Sequence, residues 1–295
     1  MADPTLNYLP CADASGTRRM AYWQWGDAQA DHTIVCVHGL TRQGRDFDVL
    51  AQALVARSAK PLRVVCPDVA GRGMSDWLTE PMAYGVPSYV GDMLALLTVL
   101  KPATLDWVGT SMGGLIGIAV CAHAKTVGAE VRRLVLNDVG PVLEWASLVR
   151  IGAYLGKNMH FDSLQQASDA LRVIASSFGP HTPQQWLELS RHMVKPDADG
   201  GVRLHYDPAI ALAFQAVTQE AAAQGEAALW ALYDGIAAPT LLLRGADSDL
   251  LSRQTASQMA QRGPCARLVE FAGVGHAPTL IAQDQVDAVA SFLLG

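Results

Sequence analysis

The stretch LDWVGTSMGG, residues 105–114, decides how this 295-residue chain folds. It begins with an apolar run typical of a buried strand, continues as Gly-x-Ser-x-Gly, and leads into small residues at 115–124 that favour a helix. A strand, a tight turn and a helix in this order lift a serine hydroxyl above a sheet, and only small residues fit beside it. Gly109 and Gly113 supply that room. The stretch therefore predicts that Ser111 is a nucleophile at the carboxyl end of a strand.

Short apolar runs alternate with helical patterns on both sides of this stretch. Strands are predicted at 21–25, 33–37, 63–66, 105–108, 131–136, 240–243 and 268–271, and helices at 46–57, 88–100, 112–124, 252–262 and 283–294. Continuous apolar runs fit strands that are buried on both faces of a parallel sheet. The alternation therefore predicts an α/β fold, with a mostly parallel central sheet flanked by helices.

The segment 141–235 interrupts the alternation. It has no comparable β-branched run, and it shows helical patterns at 143–155, 163–176, 183–195 and 208–224. A disordered loop is disfavoured by aromatic residues such as Trp145 and Trp186, and a separate C-terminal domain is disfavoured because the strand pattern resumes afterwards. We expect a core formed by 1–140 and 236–295, and a helical lid, or cap, formed by 141–235 that roofs the site.

The composition excludes several classes of protein. Half of the residues are hydrophobic and 17% are charged, and the formal charge of −6 provides no basic surface for nucleic acid. No apolar run reaches the roughly 20 residues of a membrane helix, and the N-terminus lacks the pattern of a signal peptide. The five cysteines are scattered and odd in number, as in a reduced protein. We therefore expect a cytoplasmic protein that binds neither nucleic acid nor membrane.

A nucleophilic serine requires a base and an acid that orients the base. His276 follows a predicted strand in the sequence GVGHAP, where sites collect in open α/β sheets. His38 also follows a strand, and there it can simply hydrogen-bond its own loop. The remaining histidines, at 32, 123, 160, 181, 192 and 205, lack such a context or fall in the 141–235 segment. Asp247 and Asp249 follow one strand, and one of them is the favoured acid. Asp138 follows another strand and is a third candidate, but its position favours a turn residue where the 141–235 segment begins. No histidine or cysteine pair has the spacing of metal ligands, so we expect neither a metal nor a cofactor.

These motifs together resemble the α/β-hydrolase superfamily, over residues 20–140 and 236–295. The resemblance rests on the serine turn, on HGL at 38–40, on DVAGRGMSD at 68–76, and on the order of serine, acid and histidine. It implies that Asp249 is the acid, in a loop one residue longer than the usual Gly-x-x-Asp. It also implies an oxyanion hole formed by the backbone N–H groups of Leu40 and Met112.

The resemblance further implies a cofactor-free serine hydrolase that cleaves the ester bond of a small or medium acyl substrate through an acyl-enzyme. Lactones and short hydroxyacid oligomers belong to this class. The alternatives are a carbon–carbon bond hydrolase of ring-fission products, a perhydrolase or acyltransferase, and a ligand-sensing protein on a hydrolase core. The expected partner is a small ester-like substrate, and the sequence leaves the oligomeric state open.

Overall fold

The computed structural model describes residues 3–295 of the chain. Its strands are β1 (Thr5–Asp13), β2 (Gly16–Gly26), β3 (His32–Val37), β4 (Leu62–Pro67), β5 (Thr104–Thr110), β6 (Val131–Asn137), β7 (His160–Phe161), β8 (Val194–Pro196), β9 (Val202–Leu204), β10 (Thr240–Gly245) and β11 (Arg267–Phe271). Its α-helices are α1 (Asp48–Arg57), α2 (Val86–Leu100), α3 (Met112–His123), α4 (Trp145–Tyr154), α5 (Leu164–Ile174), α6 (Pro183–Arg191), α7 (Ile210–Gln215), α8 (Gln219–Asp234), α9 (Arg253–Met259) and α10 (Gln283–Leu294).

Eight strands form the central sheet, in the order β1-β2-β4-β3-β5-β6-β10-β11. The pairs β1–β2 and β2–β4 are antiparallel, and every other pair in this sheet is parallel. The predicted α/β class with a mostly parallel sheet is therefore confirmed. The predicted strands and helices of the core are present, with bounds that differ by a few residues. Strand β1 was not predicted.

The sheet is buried on both faces because helices cover both. On one face, Leu96 of α2 and Ile116 of α3 pack in a large apolar cluster with Trp107 of β5. On the other face, Leu50 of α1 and Val289 of α10 belong to a second cluster. This arrangement accounts for the consecutive apolar residues in the central strands, because a strand covered on both faces buries side chains that point either way.

The segment 141–235 lies between β6 and β10 and contributes no strand to the central sheet. It contains the helices α4 to α8, as the helical patterns predicted, and a small sheet in the order β7-β9-β8 that was not predicted. The single helix predicted at 208–224 is two helices, because Thr218 starts α8 by accepting a hydrogen bond from Ala221 N at 3.2 Å. Within residues 3–295, no helix combines the length and the apolar character needed to cross a membrane.

Candidate active site

Ser111 occupies a sharp turn between β5 and α3. Its backbone has φ 52° and ψ −117°, an unusual conformation for a residue with a side chain. A Cβ atom at Gly109 would collide with the Gly113 carbonyl, and one at Gly113 would collide with the Val37 carbonyl. The two glycines therefore leave the room that the sequence analysis expected, and the serine hydroxyl projects from the end of β5.

His276 lies in the loop after β11 and contacts the serine. Its Nε2 atom lies 2.9 Å from Ser111 Oγ. The loop is fixed by two residues from elsewhere in the chain. Ser177, in the 141–235 segment, donates to the His276 carbonyl at 2.9 Å and accepts from Gly275 N at 2.6 Å. Asn137 Nδ2 donates to the Pro278 carbonyl at 2.8 Å. The imidazole is therefore held beside the serine hydroxyl.

The acid beside His276 is Asp138, at the end of β6. His276 Nδ1 lies 2.8 Å from Asp138 Oδ2, and because a carboxylate can only accept, the imidazole hydrogen is placed on Nδ1. Asp138 is fully buried and has a φ of 58°, a left-handed conformation that aspartate tolerates better than most residues. The three side chains thus form one continuous chain of hydrogen bonds, Ser111–His276–Asp138.

The expectation that Asp249 orients His276 is wrong in this geometry. The Asp249 carboxylate is exposed and forms a two-bond ion pair with Arg150 of α4, at 2.8 Å and 3.0 Å. Partial burial opposes its ionisation, but the hydrogen bond and the charge of Arg150 outweigh burial and lower its pKa. Asp247 is also exposed. The loop after β10 instead supplies Ser248, whose hydroxyl donates to Asp138 Oδ2 at 2.7 Å.

The two expected oxyanion donors lie beside the serine. Leu40 and Met112 line the same cavity as Ser111. Neither backbone N–H donates to a protein acceptor within the described part of the chain. The Leu40 loop passes close to the serine, since a Cβ at Gly39 would lie at an ordinary contact distance of 3.7 Å from the Ser111 Cβ. Both N–H groups are therefore placed where they could meet a substrate oxygen.

Arg72 contacts the loop that contains Leu40. Its side chain is fully buried, and no carboxylate lies within ion-pair distance among residues 3–295. The guanidinium donates to the Leu40 carbonyl at 2.9 Å and to the Tyr89 hydroxyl at 2.9 Å, and it lies 3.6 Å from the Met112 sulfur. The sequence analysis found this arginine only as part of the 68–76 motif. The structure shows that it touches both residues of the expected oxyanion hole.

His38 is a buried structural histidine. Its Nε2 accepts from Val69 N at 2.9 Å, so its Nδ1 is the donor to the Gly39 carbonyl, 2.7 Å away. Burial lowers the pKa of His38 to about 3, so the ring is neutral. The side chain joins the Leu40 loop to the end of β4.

Ser111 opens onto a cavity of about 680 Å³, called here the large cavity. Its lining is mostly apolar and comes from both parts of the chain. The core supplies Leu40, Tyr84, Met112, Leu115 and Val139, and the 141–235 segment supplies Trp145, Leu148, Ile151, Phe214 and Leu229. Drug-sized ligands occupy cavities of this size and character. Among the described residues, no cluster of His, Cys, Asp and Glu is arranged to hold a metal ion.

Comparison with known proteins gives the family. Residues 34–292 match the model of the alpha/beta hydrolase family. The chain is 46% identical, over 100% of its length and 99% of the relative, to a 3-hydroxybutyrate-oligomer hydrolase of Cupriavidus necator. It is 24% identical, over 86% of its length and 91% of the relative, to a pimeloyl-[acyl-carrier protein] methyl ester esterase of Xanthomonas campestris.

A solved structure agrees with these matches. An alpha/beta hydrolase from Novosphingobium aromaticivorans superimposes with a TM-score of 0.85 at 32% identity, over 99% of each chain. The chain therefore belongs to the α/β-hydrolase family and is a hydrolytic enzyme.

Proposed function

We propose that this enzyme hydrolyses the ester bonds of short hydroxyacid oligomers through an acyl-enzyme on Ser111. The observation that carries the proposal is the hydrogen-bonded chain Ser111–His276–Asp138, whose serine lines an apolar cavity. The 46% identity to a 3-hydroxybutyrate-oligomer hydrolase supports this choice of substrate class.

Each side chain acts once while the acyl-enzyme forms and once while water hydrolyses it. His276 Nε2 takes the Ser111 proton while Oγ bonds to the ester carbonyl carbon, and the Leu40 and Met112 N–H groups stabilise the oxyanion. The ester C–O bond then breaks, and His276 passes its proton to the alcohol that leaves. Water repeats the sequence on the acyl-enzyme and releases the acid. Asp138 holds the imidazole tautomer and stabilises the imidazolium in both halves.

We also propose that segment 141–235 acts as the lid over this reaction. Residues of α4, α7 and α8 complete the large cavity above Ser111. An apolar roof excludes water, which strengthens the electrostatic interactions that stabilise the transition state. The core would then carry the catalytic side chains, and the lid would form the cavity walls that contact the acyl chain.

The test is turnover of the linear 3-hydroxybutyrate dimer and trimer by wild type and by Ser111→Ala, with Ser257→Ala as the control. Ser257 is an exposed serine of α9 and lines neither cavity at Ser111. We expect wild type and Ser257→Ala to release monomer, and folded Ser111→Ala to lose about 10⁴-fold or more in rate. Activity of folded Ser111→Ala near the wild-type level would contradict the mechanism. Turnover of a ring-fission β-diketone with no turnover of the esters would contradict the substrate class.

A further inference from the structure

Ser111 lies between two cavities that differ in size. The large cavity is described above. A small cavity of about 120 Å³ also borders Ser111, and its lining includes Leu40 and Thr110 together with His276. The lining of the large cavity does not include His276. The nucleophile is shared by both cavities, whereas the base faces only the small one.

The position of the base assigns the two halves of an ester to the two cavities. His276 Nε2 must give its proton to the oxygen of the alcohol that leaves, so that oxygen has to lie within hydrogen-bond reach of Nε2. The leaving alcohol therefore occupies the small cavity, and the acyl part occupies the large one. The small cavity, of about 120 Å³, therefore suits a short alcohol, while the large one, of about 680 Å³, suits a longer acyl chain.

The charges that line the two cavities also differ. The permanently charged side chains of the small cavity are two arginines, Arg42 and Arg150. The charged side chain of the large cavity is Glu226. The small cavity therefore offers cationic donors to an anionic group, whereas the large one presents an anionic side chain.

Both arginines retain a donor for a ligand. Arg42 uses Nε and Nη2 to bind Asp46, and Arg150 uses the same two atoms to bind Asp249. In each case Nη1 donates to no carboxylate in the described part of the chain. The Arg150–Asp249 pair is 41% and 46% exposed in its side chains, so water screens it and weakens it. Arg150 is therefore better able than Arg42 to donate hydrogen bonds to the carboxylate of a ligand.

Resting on the proposed function, we propose that the small cavity is a subsite for a leaving group made of one short hydroxyacid whose free carboxylate binds Arg150, with Arg42 beside it. The scissile bond is then the last ester before the carboxyl end of the oligomer. Ser111 Oγ bonds to the carbonyl carbon of that ester, the C–O bond breaks, and the hydroxyacid leaves with the proton from His276. Water then releases the remaining oligomer from Ser111.

The first test compares the free-acid trimer of 3-hydroxybutyrate with the same trimer ending in a carboxamide. The amide has the shape of the carboxylate but no charge. We expect wild type to prefer the free acid by about tenfold to a hundredfold in kcat/KM, as for a hydrogen bond to a charged group. Arg150→Gln should lose that preference, mainly through a higher KM for the free acid.

Two further variants separate ligand binding from the structural effect of the ion pair. Asp249→Asn breaks the same pair but keeps the guanidinium, so it should retain the preference for the free acid. Arg172→Gln removes one positive charge from an exposed site on α5 that lines neither cavity, and it should behave as wild type. If Arg150→Gln and Asp249→Asn lost the preference for the free acid equally, the proposal would be overturned. The loss would then come from breaking the ion pair and not from removing the guanidinium.

The second test identifies the acyl-enzyme. Rapid acid quenching of the trimer reaction, followed by mass measurement, should show Ser111 carrying two hydroxyacid units. An adduct of one unit would mean that the bond nearest the hydroxyl end is cut first, and this would overturn the subsite. If wild type hydrolyses both trimers equally, the subsite proposal fails and the proposed function stands. If wild type hydrolyses neither trimer, the proposed function fails.

Discussion

Ser248 Oγ lies 2.7 Å from Asp138 Oδ2, the oxygen that also meets His276 Nδ1 at 2.8 Å. The other oxygen, Oδ1, accepts from Gly245 N at 2.9 Å. A fully buried carboxylate is costly unless such donors surround it. The loop after β10 therefore contributes hydrogen-bond donors to the site, whereas the carboxylate, Asp138, follows the neighbouring strand β6.

The first prediction concerns the acid. Asp138→Asn would present an amide N–H to His276 Nδ1, which stabilises the wrong imidazole tautomer. We expect kcat to fall by about 10⁴-fold, the size of the effect of the corresponding change in serine proteases. Asp249→Asn should keep turnover within a few-fold of wild type. Steady-state kinetics on the carboxamide trimer compares the two variants, and an inactive Asp249→Asn beside an active Asp138→Asn would contradict the assignment.

The second prediction concerns Arg72. Arg72→Met keeps most of the apolar stem but leaves the Leu40 carbonyl without its donor. We expect a loss of about 1–3 kcal/mol in the free energy of unfolding, the cost of an unpaired buried polar group. We also expect kcat to fall more than KM rises, because the loop that carries the Leu40 N–H is no longer fixed.

The matched control for Arg72 is Tyr89→Phe. It removes one other hydrogen bond of the same guanidinium and leaves the bond to Leu40 in place. Denaturant unfolding and steady-state kinetics measure both variants. A kcat for Arg72→Met equal to that of Tyr89→Phe would show that the arginine acts on stability alone.

The third prediction concerns the turn at the serine. Gly113→Ala places a methyl group against the Val37 carbonyl, so either the turn or β3 must move. We expect a loss of more than 2 kcal/mol in the free energy of unfolding, within the range of overpacked cores. The control is Gly91→Ala in α2, where no atom lies within 4 Å of the added methyl group. That variant should gain about 0.5–1 kcal/mol from helix propensity, and a Gly113→Ala protein as stable as wild type would refute the steric argument.

The fourth prediction concerns pH. Burial lowers the pKa of His38 to about 3, below its ordinary value of 6.5. The unfolded chain therefore binds a proton that the folded one does not, and the contribution of His38 to stability is complete above pH 6.5 and is lost between about pH 6.5 and pH 3.

The measurement for His38 is the difference in free energy of unfolding between wild type and His38→Gln, followed from pH 7 to pH 4. Taking the difference cancels the contributions of the other titrating groups. Wild type should be the more stable at pH 7, and its advantage should shrink by up to about 1.4 kcal/mol per pH unit. A difference that stays constant with pH would contradict a buried neutral histidine.

The fold was accessible from the sequence where its signals are local. The run Leu62–Pro67 is buried along its whole length and every residue in it except Arg63 is apolar, so it is recognisable without knowing its neighbours. Strand β1 lies at the edge of the sheet, has Pro10 within it, and is mostly exposed or half-buried. An edge strand of this kind has little pattern to detect.

The residues of the candidate site also differ in whether the local sequence marks them. Ser111 and His276 are marked by their own flanking glycines, and the structure brings them together. The acid depends on which strands are neighbours, and that is a long-range property. In the order β5-β6-β10, the strand that ends at Asp138 is adjacent to the strand of the serine, whereas the Asp249 loop is one strand further away. Only the assembled sheet distinguishes these carboxylates.

The two hydrogen bonds of Ser177 have a consequence for how substrate enters. This residue belongs to the segment above the cavity, yet it holds the backbone of Gly275 and His276. If the roof swung away as a unit, both bonds would break and the imidazole would lose its anchor. We therefore expect an open form to be catalytically inactive, so that Ser111 becomes reactive only after the substrate has been enclosed.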